Sequence, residues 1–148
     1  MCNLDCEYCY EKIDDINGKM KTLTAKKVLE FILAKNIKNK PKKIYITFHG
    51  GEPLLGIDII EYFIHQIAIS EEFQDVDISY SLTTNATLYE RSMLPVLRKI
   101  SDLSVSIDGN KSTHDSKRKF KNGKGTFDVV FKNLKDKEIK TKDRKSTR

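Results

Sequence analysis

Cys2, Cys6 and Cys9 are the only cysteines among 148 residues, and all three fall in the opening stretch MCNLDCEYCY. An odd, clustered set suits neither a secreted disulfide framework nor thiols buried for packing. With three and two residues between them, one loop can fold its thiolates around a single small inorganic centre. No fourth cysteine is present to complete a four-thiolate site. Three kinds of chemistry compete. A structural zinc needs a histidine as fourth ligand, from His49, His65 or His114; His49, at the end of an expected strand, is the best placed, and His65 lies mid-helix among apolar residues. A catalytic thiol uses one cysteine and leaves two unexplained. A [4Fe-4S] cluster held by three thiolates, with one iron open to a substrate or cofactor, accounts for all three and for the missing fourth.

Apolar periodicity along the chain switches between two patterns. Ala25, Val28, Leu29, Ile32, Leu33 and Ile37 recur at helical spacing, with Thr22 or Thr24 placed to cap the first turn. KKIYITFHGGEP then gives a strand over Ile44 to Phe48 that enters a tight loop at Gly50 and Gly51. Asp58 can cap a second helix carrying Ile59, Ile60, Phe63, Ile64, Ile67 and Ala68, after which DISYSLTTN reads as a strand. A third helix is expected from Tyr89 to Ile100, with Pro95 as its least comfortable residue. DLSVSIDG is a third strand, and Thr126 can cap a last helix bearing Phe127, Val130, Phe131 and Leu134. Alternation of helix and strand at this spacing predicts an α/β fold of right-handed βαβ units around a parallel sheet, with ligands gathered at the strands' C-terminal ends. The cysteine cluster occupies the slot of a βα loop with no strand before it.

A chain of this size with 39% hydrophobic residues can bury the core of one domain. It has no apolar run approaching the roughly 20 residues of a membrane helix and no secretory leader, which reads as a cytoplasmic protein without a membrane partner. Residues 111–148 hold 14 Lys and Arg against 5 Asp and Glu, so the excess positive charge belongs to the C-terminal quarter. A nucleic-acid arm is one reading of that asymmetry, but no aromatic residue follows Phe131 to stack on bases, and a solvated end is the simpler one. Nucleic acid is therefore not expected as a partner.

CNLDCEYCY resembles the CxxxCxxC signature of radical S-adenosylmethionine (radical SAM) enzymes, including the aromatic Tyr8 just before the last cysteine. FHGGEPLL, SLTTNATL and SVSIDGNKSTHDSKRKF follow in order, each at the end of an expected strand. Together they resemble the subgroup that modifies peptides and proteins: anaerobic sulfatase-maturating enzymes and peptide maturases, many with a C-terminal SPASM or twitch extension. The resemblance implies that Cys2, Cys6 and Cys9 each bind one iron of a [4Fe-4S] cluster. The fourth iron would chelate SAM, and one-electron reduction would release a 5′-deoxyadenosyl radical that removes a hydrogen from a peptide or protein substrate. An oxidoreductase of this kind draws on a low-potential electron donor such as a flavodoxin or ferredoxin.

The same resemblance implies the other site residues. Gly50, Gly51, Glu52 and Pro53 match the GGEP motif, which contacts the SAM ammonium; glycines allow close approach, and carbonyls plus a carboxylate suit a cation. Tyr8, Asn85, Ser106, Asp108 and Arg118 fall at cofactor-binding positions. Ser106 and Asp108 are expected to alternate on one strand and face one side, with Arg118 as a cationic partner. Tyr10 and His49 are candidates to touch substrate, and no general acid or base stands out. Family members normally carry a first barrel strand before the first cysteine, where this chain has only Met1, and the polar stretch after Leu134 does not read as a fifth strand. The expectation is therefore about four βα units of a partial (β/α)6 TIM-like barrel over residues 1–134, cut at both ends. Residues 135–148 are expected to form a basic, disordered tail. A non-catalytic metal- or nucleic-acid-binding module and an inactive gene fragment are the alternatives.

Overall fold

The alternation of apolar and small polar residues along the strands decides which side of the sheet faces the helices. In the computed structural model, which describes residues 1–12 and 18–136, three parallel strands form one sheet: β1 (Lys43–Phe48), β2 (Asp77–Thr84) and β3 (Asp102–Val105), in the order β1-β2-β3. β1 and β2 run in register from Lys43 opposite Asp77 to Phe48 opposite Leu82, and β2 and β3 from Ser81 opposite Asp102 to Thr84 opposite Val105. Ile44, Ile46, Phe48, Ile78, Tyr80, Leu82 and Leu103 form one face and join the hydrophobic core. Between them stand Thr47 opposite Ser81 and Thr83 opposite Ser104, so the other face carries hydroxyls.

Two long helices cover the apolar face. α1 (Thr22–Asn39) contributes Leu29, Ile32 and Leu33, and α2 (Ile57–Ile69) contributes Ile60, Ile64 and Ile67. The expected caps are corrected. Thr22 and Thr24 lie inside α1, which starts after Lys21 without a side-chain cap. Asp58 sits in the first turn of α2, where a negative charge suits the helix dipole, and pairs with Lys19 at 2.6 Å.

The third expected helix is much shorter than Tyr89 to Ile100. A 3-10 turn, Arg91–Met93, runs into α3 (Leu94–Leu97), with Pro95 in its first positions. Proline lacks the N–H that an interior turn needs but suits a helix start, so the helix begins there and cannot extend back through it. β3 also ends earlier than expected. Ser106 adds one backbone bond to the Thr84 carbonyl at 2.9 Å, but the chain then leaves the sheet, and Asp108 lies in a loop rather than alternating with Ser106 on a strand.

That loop leads into a helix with no apolar periodicity to announce it, α4 (Lys111–Lys117), capped by the Asn110 side chain on the Thr113 amide at 3.0 Å. α5 (Phe127–Leu134) follows as expected, yet Thr126 makes no side-chain cap; Asp115 of α4 accepts from the Phe127 amide instead, at 2.9 Å. The polar tail lies outside the described residues from 137 onward, and no described helix is long and apolar enough to cross a membrane. Leu82 is completely buried in the central strand. Leu82→Ala should lower the unfolding free energy by about 3 kcal/mol, measured by denaturant titration.

Candidate functional site

Parallel strands end at one edge, and the cysteine loop lies across it, held by the segment after each strand. After β1, the Met1 carbonyl accepts from the Glu52 amide at 3.0 Å, and Tyr10 Oη and His49 Nε2 share a hydrogen bond of 3.0 Å. Gly51 permits the contact: a β-carbon there would stand 2.2 Å from the Met1 carbonyl oxygen and 3.0 Å from the Cys2 nitrogen, both backbone atoms that cannot swing aside. After β2, Asn3 donates to Thr87 Oγ1 at 2.8 Å and accepts from Asn85 Nδ2 at 3.0 Å. Beyond β3 and α4, the cysteine loop meets residues 117–120 through an isolated antiparallel bridge and flanking backbone bonds. Leu4 bridges Phe120, the Asp5 amide donates to the Lys119 carbonyl at 2.8 Å, and the Glu7 amide donates to the Lys117 carbonyl at 2.9 Å.

Glu52 ties the first two of these segments together. It is 4% exposed, and its carboxylate accepts from the Leu54 amide (3.0 Å), Thr84 Oγ1 (2.6 Å) and the Asn85 amide (2.8 Å). Burial pushes its pKa up, against the pull of those three donors, and the upward push wins. Within this structure the GGEP carboxylate is engaged by its own chain, and Pro53 opens the 3-10 turn Pro53–Gly56 that presents the Leu54 amide. Asn85 is engaged too. Its Oδ1 accepts from the Thr87 amide at 2.9 Å and from Thr87 Oγ1 at 2.7 Å, and its Nδ2 lies 3.9 Å from Cys2 Sγ.

At the third corner Tyr8, Asp108 and Arg118 interlock. Arg118 grips both carboxylate oxygens of Asp108, at 3.0 and 3.2 Å, and its guanidinium lies over the Tyr8 ring, 5.3 Å from the centroid, while the Tyr8 hydroxyl donates to the same carboxylate. Burial acts to raise the Asp108 pKa, but the Tyr8 hydroxyl and Arg118 overcome it and hold the group below the usual aspartate range. Burial and the Asp108 carboxylate push the Tyr8 phenol well above its ordinary value. Cys6 is buried, Cys2 and Cys9 are half-buried, and desolvation raises the Cys2 and Cys6 thiols.

The sequence-predicted residues thus converge on one edge, with differences of role. Ser106 is present there through its backbone bond to β2. His49 is exposed and bonded to Tyr10, His65 is on the exposed side of α2, and His114 is buried beside α5. Among the described residues no three His, Cys, Asp or Glu side chains close around a point as one metal ion requires. Asn3, Thr84 and Thr87 are structural members of the site that pattern reading passes over, since hydroxyls and amides carry no periodic signal; Thr126, expected only as a helix cap, bonds His114 and the Arg118 carbonyl instead.

Gly51→Ala should dislodge the cysteine loop, so that Cys2 and Cys6 react several-fold faster with a thiol reagent under native conditions. Asp108 ionises more readily folded than unfolded. Its contribution to stability is complete above about pH 4, the ordinary aspartate value, and is lost as the pH falls through its lower folded pKa. Asp108→Asn should remove that acid-side loss, read from unfolding curves across a pH series.

The sequence matches the Radical SAM superfamily over residues 1–144. It is 34% identical over 131 residues to an uncharacterized protein of Methanocaldococcus jannaschii, covering 87% of this chain and 43% of that protein. It is 30% identical over 138 residues to a cysteine-type anaerobic sulfatase-maturating enzyme of Clostridium novyi, covering 90% of this chain and 37% of that enzyme. The fold superimposes on a solved structure described as native anSMEcpe with bound AdoMet and Kp18Cys peptide, with a TM-score of 0.77 at 28% identity, over 90% of this chain and 36% of that one. The chain therefore spans well under half the length of these relatives. Matched nearly end to end, and with its cysteine loop set across the C-terminal edge of a parallel sheet, this chain belongs to the radical SAM superfamily.

Proposed function

We propose that this chain binds a [4Fe-4S] cluster through Cys2, Cys6 and Cys9 and holds SAM beside it, forming the core of an enzyme that modifies a peptide or protein. The observation that carries this reading is the docking of the cysteine loop: one loop offers all three thiols while its backbone is fastened to the turn after β1 and to the segment after α4, and its Asn3 side chain to the loop after β2. The donor set fits the group. Three soft thiol ligands with no fourth protein ligand suit an iron-sulfur cluster with one open iron, and thiols raised by burial release their protons on metal binding. Relatives named as sulfatase-maturating enzymes, and a structural neighbour described with AdoMet and a peptide, support the SAM ligand and the peptide substrate.

When bound, the cluster and SAM supply a one-electron reductive cleavage that yields a 5′-deoxyadenosyl radical. The chain's own residues orient and enclose. Gly50 and Gly51 offer backbone at the edge of the site, and Glu52 contributes by fixing that turn. Asn85 and Tyr8 brace the cysteine loop from two sides. The Ser106 hydroxyl, without a hydrogen bond among the described residues, is free to meet ligand, and the Asp108–Arg118 pair brings fixed charge to the same edge. Tyr10 and His49 form a polar pair on the exposed side, where substrate would arrive. We assign residues 1–134 to this core and residues 135–148 to a polar tail. A reducing compartment such as the cytoplasm keeps the thiols available, and a flavodoxin or ferredoxin is a fitting electron donor.

Anaerobic reconstitution with iron and sulfide should give about four irons per chain and a broad absorption band near ~400 nm. Addition of SAM and a strong reductant should release 5′-deoxyadenosine. One zinc per chain without the band would overturn the reading, and iron uptake without 5′-deoxyadenosine would reduce it to cluster binding alone.

A further inference from the structure

His114 and Thr126 are completely buried, polar, and bonded to one another at 2.9 Å, yet neither touches the cysteine loop. Their contacts admit one proton arrangement. The Thr126 hydroxyl has a single proton and donates it to the Arg118 carbonyl, at 3.0 Å. His114 Nε2 must then carry the proton between ring and hydroxyl, which leaves Nδ1 bare to accept from the Asp108 amide, at 3.3 Å. The ring is then a neutral Nε2–H tautomer, bonded directly to the Asp108 backbone and, through Thr126, to that of Arg118, the two residues of the site's ion pair. Phe127 packs edge-on against it, 5.6 Å between centroids.

The direction of successive carbonyls carries this buried pair to the cysteines. Along Lys117, Arg118 and Lys119, the middle carbonyl turns inward to Thr126, while the outer two turn to the Glu7 and Asp5 amides of the cysteine loop. Loss of the inward bond frees the segment whose outward bonds fasten that loop. Asp115 completes the unit by receiving the Phe127 amide, and a β-carbon on Gly125 would stand 2.2 Å from its carboxyl carbon, so a side chain there would push the carboxylate aside. The stretch HDSKRKFKNGKGTF thus reads as one device: His114 and Asp115 anchor the turn at Gly125–Phe127, and the segment between them presents Arg118.

We propose that His114, fixed as its Nε2–H tautomer by Thr126, is a positioning residue for the cysteine loop, acting through the Arg118 segment and the Asp108–Arg118 pair. The proposal rests on the cluster-and-SAM reading for its consequence but not for its geometry. The charged groups facing the ring are Arg118, Asp108 and Asp115. Burial, aided by Arg118, disfavours the imidazolium, and a proton on Nδ1 would expel the Asp108 amide.

The test uses the full chain without iron first. Long-range nitrogen-15 spectra of the three histidines should show His114 as the Nε2–H tautomer, with its titration displaced below that of an ordinary imidazole. Thr126→Val should speed amide exchange at Asp5 and Glu7 at least tenfold while β2 amides hold their wild-type rates, and Thr126→Ser should restore wild-type exchange. After reconstitution, Thr126→Val should weaken SAM binding several-fold in equilibrium dialysis, and Thr126→Ser should not. An Nδ1–H tautomer, an ordinary His114 titration, or exchange that rises equally through the sheet overturns the proposal. A wild type that takes up no SAM overturns the functional reading instead, and tautomer and exchange then decide the relay.

Discussion

A carboxylate buried away from water must find donors, and at Glu52 that requirement organises the whole functional edge. Its three donors come from its own turn and from the end of the neighbouring strand, so the loop after β1 and the loop after β2 are fixed to a common point. Because the turn is fixed, Gly51 presents a bare backbone face, and the start of the cysteine loop packs against it with no room for a side chain. Because Asn85 is fixed, its amide reaches Asn3 and lies beside Cys2. One desolvated charge thereby sets the position of two of the three supports on which the cysteines rest.

The supports bind the cysteine loop almost wholly through backbone and through neighbours of the cysteines. Met1, Asn3, Leu4, Asp5, Glu7, Tyr8 and Tyr10 make the contacts, while the thiols themselves have only weak ones, such as the Leu4 amide 3.5 Å from Cys2 Sγ. This division suits a loop whose sulfurs must stay available. Backbone bonds fix the loop without using a thiol as donor, and N–H groups directed at a sulfur, as at Cys2, can orient it while leaving it free to ligate.

The residues with distinctive chemistry were the legible ones. Cysteines at short spacing, paired glycines before Glu-Pro, and apolar residues at period two or 3.6 announce themselves, and β1, β2, α1 and α2 lie where periodicity puts them. Features that depend on polar pairing across the fold were not legible. α4 has no apolar stripe and forms because Asn110 caps it and His114 finds a buried partner. α3 is shorter than the expected Tyr89 to Ile100 because Pro95 stands at its start and a helix cannot extend back through it. Glu52 was recognisable as part of a motif, but that its carboxylate faces inward, to the chain's own donors, follows only from the meeting of two loops far apart in sequence.

Some of the cations of the basic quarter are tied into the fold. Lys111 pairs with Asp128, Lys117 with Glu7 at 2.9 Å, and Arg118 with Asp108, so three of the first cations of the basic quarter are structural partners of nearby carboxylates. The two lysines lie on the surface, where water and salt screen such pairs and they add little. Arg118 differs in kind. Its side chain and that of Asp108 are each less than one-fifth exposed, and the pair is bidentate. A planar guanidinium can grip two oxygens and lie over an aromatic ring together, which an ammonium cannot. Arginine is therefore the residue that lets one side chain join the loop after β3 to the cysteine loop, and the Tyr8 ring just before the last cysteine is the surface it uses.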